Sequence, residues 1–254
     1  MELLIVGQGG AGRKLENGDR SAAARQPNRA LAGETGLAPG FSRHARDAAP
    51  LGALRLATPK GSHYSTSMVR EPRPDVPLTY REYCYLPDDG RRHELMEGDF
   101  YVNPAPSTTH QRVSRRLQFM LVEQLETPGI AEVFDAPVDV ILSDTNVVQP
   151  DLAVVRMSRE GAVTERGIEG PPDLIVEILS PGSAGQDEFL KKVLYAKMGV
   201  PEYWLVDPNH GRVTVLRAQD GVYKNIARFD RASTLTSVEF PEIAVPLLKV
   251  FQQR

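Results

Sequence analysis

Hydrophobic and polar positions divide the chain into an unpatterned part and, from about Leu78 onward, a patterned one. Thr79-Tyr80-Arg81-Glu82 places Thr at an N-cap with Glu three residues on, and predicts a short helix. The runs His93-Glu94-Leu95-Met96-Glu97 and Phe100-Tyr101-Val102 flank Gly98-Asp99 and predict a hairpin. After Pro104-Ala105-Pro106, the capping pair Thr108 and Gln111 opens a helix to about Glu126. Val113, Leu117, Met120, Leu121 and Leu125 recur on one face of it. Arg112, Arg115 and Arg116 lie largely off that stripe, as a solvated face or a face for phosphates. Pro128-Gly129 closes the helix.

Three successive strands are predicted at 131–134, 138–142 and 147–155, separated by Asp135-Ala136-Pro137 and Ser143-Asp144-Thr145-Asn146. A polar loop, 157–172, with room for helical turns, leads into the aliphatic run 174–179. A helix is predicted at 186–198, with Phe189, Val193 and Ala196 on one face beside Leu190 and Leu194, and Gly199 as its stop. Strands follow at 202–207, 212–217 and 222–229. Trp204 is expected to be buried beside the helix, and the apolar tail 243–251 to dock on the core. This order is α/β, in the α+β sense of a mixed sheet, without the strict alternation of a doubly wound fold.

Residues 1–74 are rich in Ala, Gly, Arg, Ser and Pro, with no sustained period. Such a segment buries too little apolar surface to offset the entropy of ordering it, so a disordered leader is expected before a folded domain over 75–254. Met68, beside the change in composition, is an alternative start. Ile5-Val6-Gly7-Gln8-Gly9-Gly10-Ala11-Gly12 imitates a dinucleotide-binding loop, but no amphipathic helix and second strand follow to complete the unit. With 41% hydrophobic residues in 254, the chain can build one sizeable domain or two small ones. A net charge of -3 gives no global positive field, so any nucleic-acid contact has to come from local patches. The single Cys84 cannot form an internal disulfide and reads as a small buried hydrophobe. No apolar run approaches the roughly 18 residues of a membrane span, and the N-terminus lacks the basic start of a signal peptide. A cytoplasmic location is expected.

Two acids break the pattern. Glu177 stands in Leu174-Ile175-Val176-Glu177-Ile178-Leu179, a run that reads as a strand covered on both faces. An ionised carboxylate is costly there. Either it lies at a frayed end or pairs with an Arg, or it binds a metal or does acid/base work. Asp151 is the one acid of the run 147–155, where Pro150 implies a strand start, an edge or a bulge. Two hard carboxylates on neighbouring strands, with positions left for water and phosphate, suit Mg²⁺, with Mn²⁺ as a substitute. Such an ion would offset the burial of Glu177 and, in phosphodiester cleavage, activate water and stabilise the leaving oxygen. Asp173 stands roughly 13 Å from Glu177 along the same strand, too far to share an ion.

Several pieces occur in an order that resembles a known family. They are His93-Glu94-Leu95-Met96-Glu97-Gly98, His110-Gln111, Gln149-Pro150-Asp151-Leu152, Val176-Glu177-Ile178-Leu179-Ser180-Pro181, Lys191 with Tyr195-Ala196, and Gly199-Val200-Pro201-Glu202-Tyr203-Trp204-Leu205-Val206-Asp207-Pro208. The chain from about Leu78 onward resembles the Uma-type (Uma two) endonucleases of the PD-(D/E)XK restriction-endonuclease-like superfamily. The resemblance implies a restriction-endonuclease-like core with flanking helices and extra antiparallel strands, and Mg²⁺-dependent hydrolysis of phosphodiester bonds in DNA. Asp151 and Glu177 would ligate the metal, and Glu94, matching the upstream acid, would support the metal or the water. The superfamily's Lys normally stands two residues after the Glu, a position held here by Leu179. Lys191, from the following helix, would take its role and orient water against the phosphate. An i, i+4 pair of Lys191 with Asp187, and Lys192 in its place, are the alternatives. His110 either caps its helix or meets substrate. DNA is the implied partner, with no membrane, and a homodimer is left open. The rival from another class is a nuclease-like fold without catalysis that binds nucleic acid or protein. The missing strand Lys favours it, and the presence of all three acids speaks against it. Hydrolysis of a small phosphate is a third reading.

Overall fold

The computed structural model describes residues 68–71, 76–86, 89–180 and 186–252, of which 186 and 187 are described by backbone alone. The expected disordered leader lies outside the described residues, except at its end. In chain order the strands are β1 (Val69–Arg70), β2 (Arg92–Met96), β3 (Asp99–Asn103), β4 (Ala131–Asp135), β5 (Val140–Ser143), β6 (Asn146–Val148), β7 (Leu152–Arg156), β8 (Val163–Thr164), β9 (Gly167–Glu169), β10 (Leu174–Ile178), β11 (Glu202–Asp207), β12 (Arg212–Gln219), β13 (Val222–Asp230), β14 (Thr234–Thr236) and β15 (Ala244–Pro246). The helices are α1 (Tyr80–Tyr83), α2 (Thr108–Leu121), α3 (Gln186–Lys197) and α4 (Leu247–Val250).

Local chemistry accounts for most of these boundaries. The Thr79 N–H donates to Glu82 Oε2 at 3.0 Å, the reach-back half of the predicted capping box of α1. β2 and β3 turn through Glu97 and Gly98, with φ of 52° and 76°, the positive angles a two-residue hairpin needs. A Cβ on Gly98 would also stand 2.5 Å from Pro77 Cβ. α2 begins one residue earlier than its sequence pattern predicts, because Ser107 Oγ, not Thr108, accepts the His110 N–H at 3.2 Å. It runs on as a π-helix over Val122–Glu126.

Six strands make the central sheet, in the order β13-β12-β11-β10-β7-β4. β10 and β11 are parallel and joined through α3; the other neighbours are antiparallel. On one face Leu174, Val176, Trp204, Val206, Leu152 and Val154 pack with Val113, Leu117, Leu121 and Leu125 and with the apolar tail, which docks as expected. On the other face Ile175, Tyr203, Ala153 and Val155 pack with Leu194 and Tyr195 of α3 and with Met96, Tyr101 and Val148 of a second sheet. That sheet runs β1-β3-β2-β6-β5-β9-β8. β14 and β15 pair separately.

Five readings of the sequence need correction, the last of them in part. The predicted strand 147–155 is two strands in different sheets. Pro150 has no N–H for a ladder, and the backbone of Gln149 bonds instead to Arg92 and Glu94. The predicted polar loop 157–172 carries the hairpin β8–β9, where Gly167 (φ 132°) leaves no space for a Cβ, only 2.3 Å from Asp139 O. On α3, Phe189 and Val193 are 63% and 49% exposed, and the buried side is Lys191, Leu194, Tyr195 and Ala196. Cys84 is exposed, at the end of the four-residue α1. Trp204 is fully buried as expected, but in the core on the face opposite α3.

Candidate active site

β7 and β10 run antiparallel with Leu152 opposite Val176, so the residue before β7 lies beside the end of β10. This register brings Asp151 and Glu177 to the same end of the central sheet. Strand alternation puts Glu177 on the face of Ile175, towards α3. α3 crosses that face and lays Lys191 and Tyr195 over Glu177. From the second sheet, β2 supplies Arg92 and Glu94, two residues apart and so on one face. His110 enters from the first turn of α2.

These side chains form one connected network. Lys191 Nζ donates to Glu94 Oε1 at 2.9 Å and to Glu177 Oε1 at 3.0 Å. Tyr195 OH donates to the same Glu177 oxygen at 2.7 Å. Asp151 Oδ2 accepts the Ile178 N–H at 2.8 Å and pairs with His110 Nε2 at 2.9 Å. Arg92 Nη1 lies 3.5 Å from Asp151 Oδ1, and Arg92 also donates to the Gln149 carbonyl. The Gln149 N–H returns to Glu94 Oε1 at 2.8 Å. Farther out, Gln149 Nε2 and Tyr83 OH both donate to Asp139 Oδ1 at 2.9 Å, which fixes the turn before Asp151.

Burial makes the charges consequential. Glu94 is fully buried, and Asp151 and Lys191 are 5% and 8% exposed. Burial acts to raise Glu94, but Lys191 and Arg92 outweigh it and hold its carboxyl below the ordinary value. Burial likewise acts on Asp151, where the His110 hydrogen bond, Arg92 and the Ile178 N–H win and hold it low. Glu177 goes the other way. Its burial, with the charges of Asp151 and Glu94, exceeds the help of Lys191 and Tyr195, and its carboxyl is pushed up. Burial acts to lower Lys191, yet Glu177 and Glu94 hold it above its ordinary value, so it stays an ammonium. Buried Tyr195 is raised well above the ordinary phenol value and serves as a donor.

The donor set fits a hard divalent cation. Among the described residues Asp151 Oδ1 has only its long contact to Arg92, and Glu177 Oε2 accepts no hydrogen bond. Glu94 Oε2 also makes no hydrogen bond of normal length, although the Asn103 amide is close enough to favour the ionised form. Three carboxylates against Arg92 and Lys191 leave one formal negative charge, His110 aside. Among the described residues no group of three or more His, Cys, Asp or Glu converges as an all-protein cage. Mg²⁺ does not need one, since it keeps several waters and takes one or two carboxylates. The cleft in front of these oxygens, bordered by Arg92, His110, Asp151, Glu177, Glu188 and Lys191, holds about 100 Å³. Pockets that enclose a small molecule run from about 300 Å³ upward. The cleft is therefore too small to enclose a small-molecule ligand.

A mixed central sheet with two acids at one end of neighbouring strands and a lysine from the crossover helix defines a restriction-endonuclease-like fold. Residues 79–248 match the model of the family Uma2, described as "Putative restriction endonuclease", and the chain belongs to that family. It is similar to a solved structure described as "a putative nuclease belonging to DUF820 from Anabaena variabilis ATCC 29413", with 26% identity and a TM-score of 0.58 over 69% of this chain and 98% of that one. No curated protein matches. The resemblance and the mixed-sheet fold read from the sequence are both borne out.

The four acids and bases named from the sequence, Glu94, Asp151, Glu177 and Lys191, meet at this one place. Lys191 reaches the acids and Lys192 does not; the alternative partner Asp187 has its side chain outside those described. Asp173 is occupied elsewhere, by the Arg156 N–H at 2.9 Å and by Arg159. Sequence reasoning missed Arg92 and the roles of His110 and Tyr195. Arg92 had a signal: its i, i+2 spacing from Glu94, one residue before the predicted strand. No helix among the described residues is long and apolar enough to cross a membrane.

Proposed function

We propose that this protein is a metal-dependent endonuclease that hydrolyses phosphodiester bonds of DNA, with Mg²⁺ as its ion and Mn²⁺ as a substitute. The supporting observation is that Asp151 and Glu177 each keep one oxygen for a ligand beside an ammonium held by the buried Glu94 and the partly buried Glu177. Asp151 Oδ1 and Glu177 Oε2 would hold the ion, whose chemistry is to lower the pKa of water and offset charge on the phosphate. The chain's own groups prepare that place. His110 and the Ile178 N–H fix one oxygen of Asp151; Tyr195 and Lys191 fix one of Glu177. Glu94 anchors both Lys191 and the Gln149 backbone. Because Lys191 is held protonated, it acts as a hydrogen-bond donor to the attacking water or a phosphate oxygen, and does not accept the water's proton. A binding module without catalysis would gain nothing from the disfavoured charge on Glu177. The homodimer left open above finds no support in these observations.

The test is plasmid nicking. The parent should convert supercoiled DNA to open circles with Mg²⁺ or Mn²⁺ and not with EDTA, and Asp151→Asn and Glu177→Gln should both be inactive. If no divalent ion supports cleavage by the parent, the nuclease reading fails and the rival binding module stands; if the variants cleave at the parental rate, the assignment of Asp151 and Glu177 fails.

A further inference from the structure

Beside the acid cleft, on its α2 side, lies a second and larger one of about 410 Å³. The two share Arg92, Pro106, His110 and Asp151 as their common wall. The outer wall of the second cleft is a face of α2: Gln111, Ser114, Arg115 and Gln118, at i, i+3, i+4 and i+7. Across from it stand Asp135 and Ala136, at the end of β4. The α2 side of the cleft therefore carries amides, a hydroxyl and a guanidinium and no carboxylate. Arg115 is exposed and has no carboxylate partner among the described residues. Among the described residues eight of fourteen arginines do have one, Arg91, Arg156, Arg159, Arg166, Arg212 and Arg217 among them. A helix surface that leaves an unpaired guanidinium between two amides, opening into a site for a phosphodiester, is complementary to the neighbouring phosphates of the same strand. Side chains of these types position nucleic-acid backbones without reading sequence.

We propose that the face of α2 formed by Gln111, Ser114, Arg115 and Gln118 is the track for the DNA strand that flanks the scissile phosphate, with Arg115 as its charged phosphate contact. This rests on the nuclease reading of the adjoining acids and adds the path of the substrate to it. Arg115 and Gln118 bind the backbone next to the reacting bond; Arg92 and His110, at the shared wall, belong to the site itself. The guanidinium suits a phosphate in two-point contact, which a lysine cannot reproduce. The track therefore supplies affinity for the strand and leaves the chemical step to the acids and Lys191.

The experiment is fluorescence anisotropy of a short labelled DNA duplex and of its single strand. Parent, Arg115→Ala and Lys224→Ala are each measured over a range of salt in EDTA, so that binding is read without cleavage. Lys224 is exposed on β13 and is likewise without an acidic partner among the described residues, so it controls for mere loss of one positive charge. Arg115→Ala should weaken binding about tenfold, the order for losing a charge-assisted hydrogen bond. It should also lower the slope of log K against log salt by about 1, and Lys224→Ala should do neither. In a nicking assay with Mn²⁺, Arg115→Ala should raise the DNA concentration needed for half-maximal cleavage about tenfold, and Lys224→Ala should leave it unchanged. Equal binding by Arg115→Ala and parent, or equal losses at Arg115 and Lys224, overturns the track while leaving the acid site untouched. Arg115-dependent binding by a parent that never cleaves supports the track and removes the nuclease reading. A parent that binds neither DNA overturns the track, and its nicking with Mn²⁺ decides the nuclease reading separately.

Discussion

Glu177 carries the least favoured charge of the site: burial, Asp151 and Glu94 all act against its ionised form. Asp151, one strand away, is instead held low by His110, Arg92 and a backbone N–H. Neutralising the two should therefore have different consequences. Glu177→Gln keeps an acceptor for Lys191 and Tyr195 and removes the disfavoured charge, so in EDTA its urea midpoint should stay close to the parent's. Asp151→Asn weakens two buried hydrogen bonds and should cost about 1–3 kcal/mol in the same titration. Lys191→Ala leaves Glu94 and Glu177 without their common cation. It should destabilise the metal-free protein by about 3–5 kcal/mol and slow cleavage by a factor of order 10² or more. A metal-free Lys191→Ala as stable as the parent would show that the lysine is not holding the two acids. The sequence revealed Asp151 and Glu177 because a single carboxylate in an aliphatic run stands out. Glu94 and Lys191 do not stand out, one in a mixed strand and the other on a charged helix; they were reached only through the family resemblance. His110 gave no sign of its partner, because Asp151 is 41 residues away.

At the scale of elements, the same lysine explains why the face of α3 was misread. Hydrophobic periodicity counts Lys as polar, so the stripe was drawn through Phe189 and Val193; the helix buries Lys191, Leu194 and Tyr195 instead. A functional charge on the buried side rotates the apparent stripe towards solvent. The predicted strand 147–155 failed for a related reason. Its apolar residues are continuous, but they serve two sheets, and the crossing at Gln149-Pro150-Asp151 is where the site is built. The long aromatic strand β11 was legible throughout. Trp204 lies fully buried on it and donates from Nε1 to Glu202 at 2.6 Å. Trp204→Ala should cost about 3–5 kcal/mol, read as a lowered urea midpoint with an unchanged slope. A midpoint near the parent's would contradict the packing of that core. At the start of α2, Ser107→Ala should cost about 1 kcal/mol, the value of an N-cap hydroxyl, whereas Thr108→Ala should cost much less. The reverse order would return the cap to the residue the sequence pattern chose.

At the scale of the whole molecule, the site is assembled from parts far apart in the chain. Lys191 and Glu94, in direct contact, are 97 residues apart, and each sheet contributes an acid. The carboxylates come together only in the folded protein, so an ion that binds them stabilises the folded state in proportion to RT ln(1 + [ion]/Kd). The overall α/β order and the mixed sheet were legible from the element pattern. The existence of a second sheet was not, because its strands are short and its pairings, such as β5 with β9 and β2 with β6, are set by packing between distant segments. The central claim is that Asp151 and Glu177 jointly hold a divalent ion, and the most direct measurement is the melting temperature of parent and Glu177→Gln across a titration of Mn²⁺. The parent should melt progressively higher as Mn²⁺ rises, by an amount equivalent to about 2.7 kcal/mol at a hundredfold excess over Kd. Glu177→Gln should match the parent in EDTA and should not respond to the ion. Equal responses from the two proteins, or none from the parent, would contradict the account.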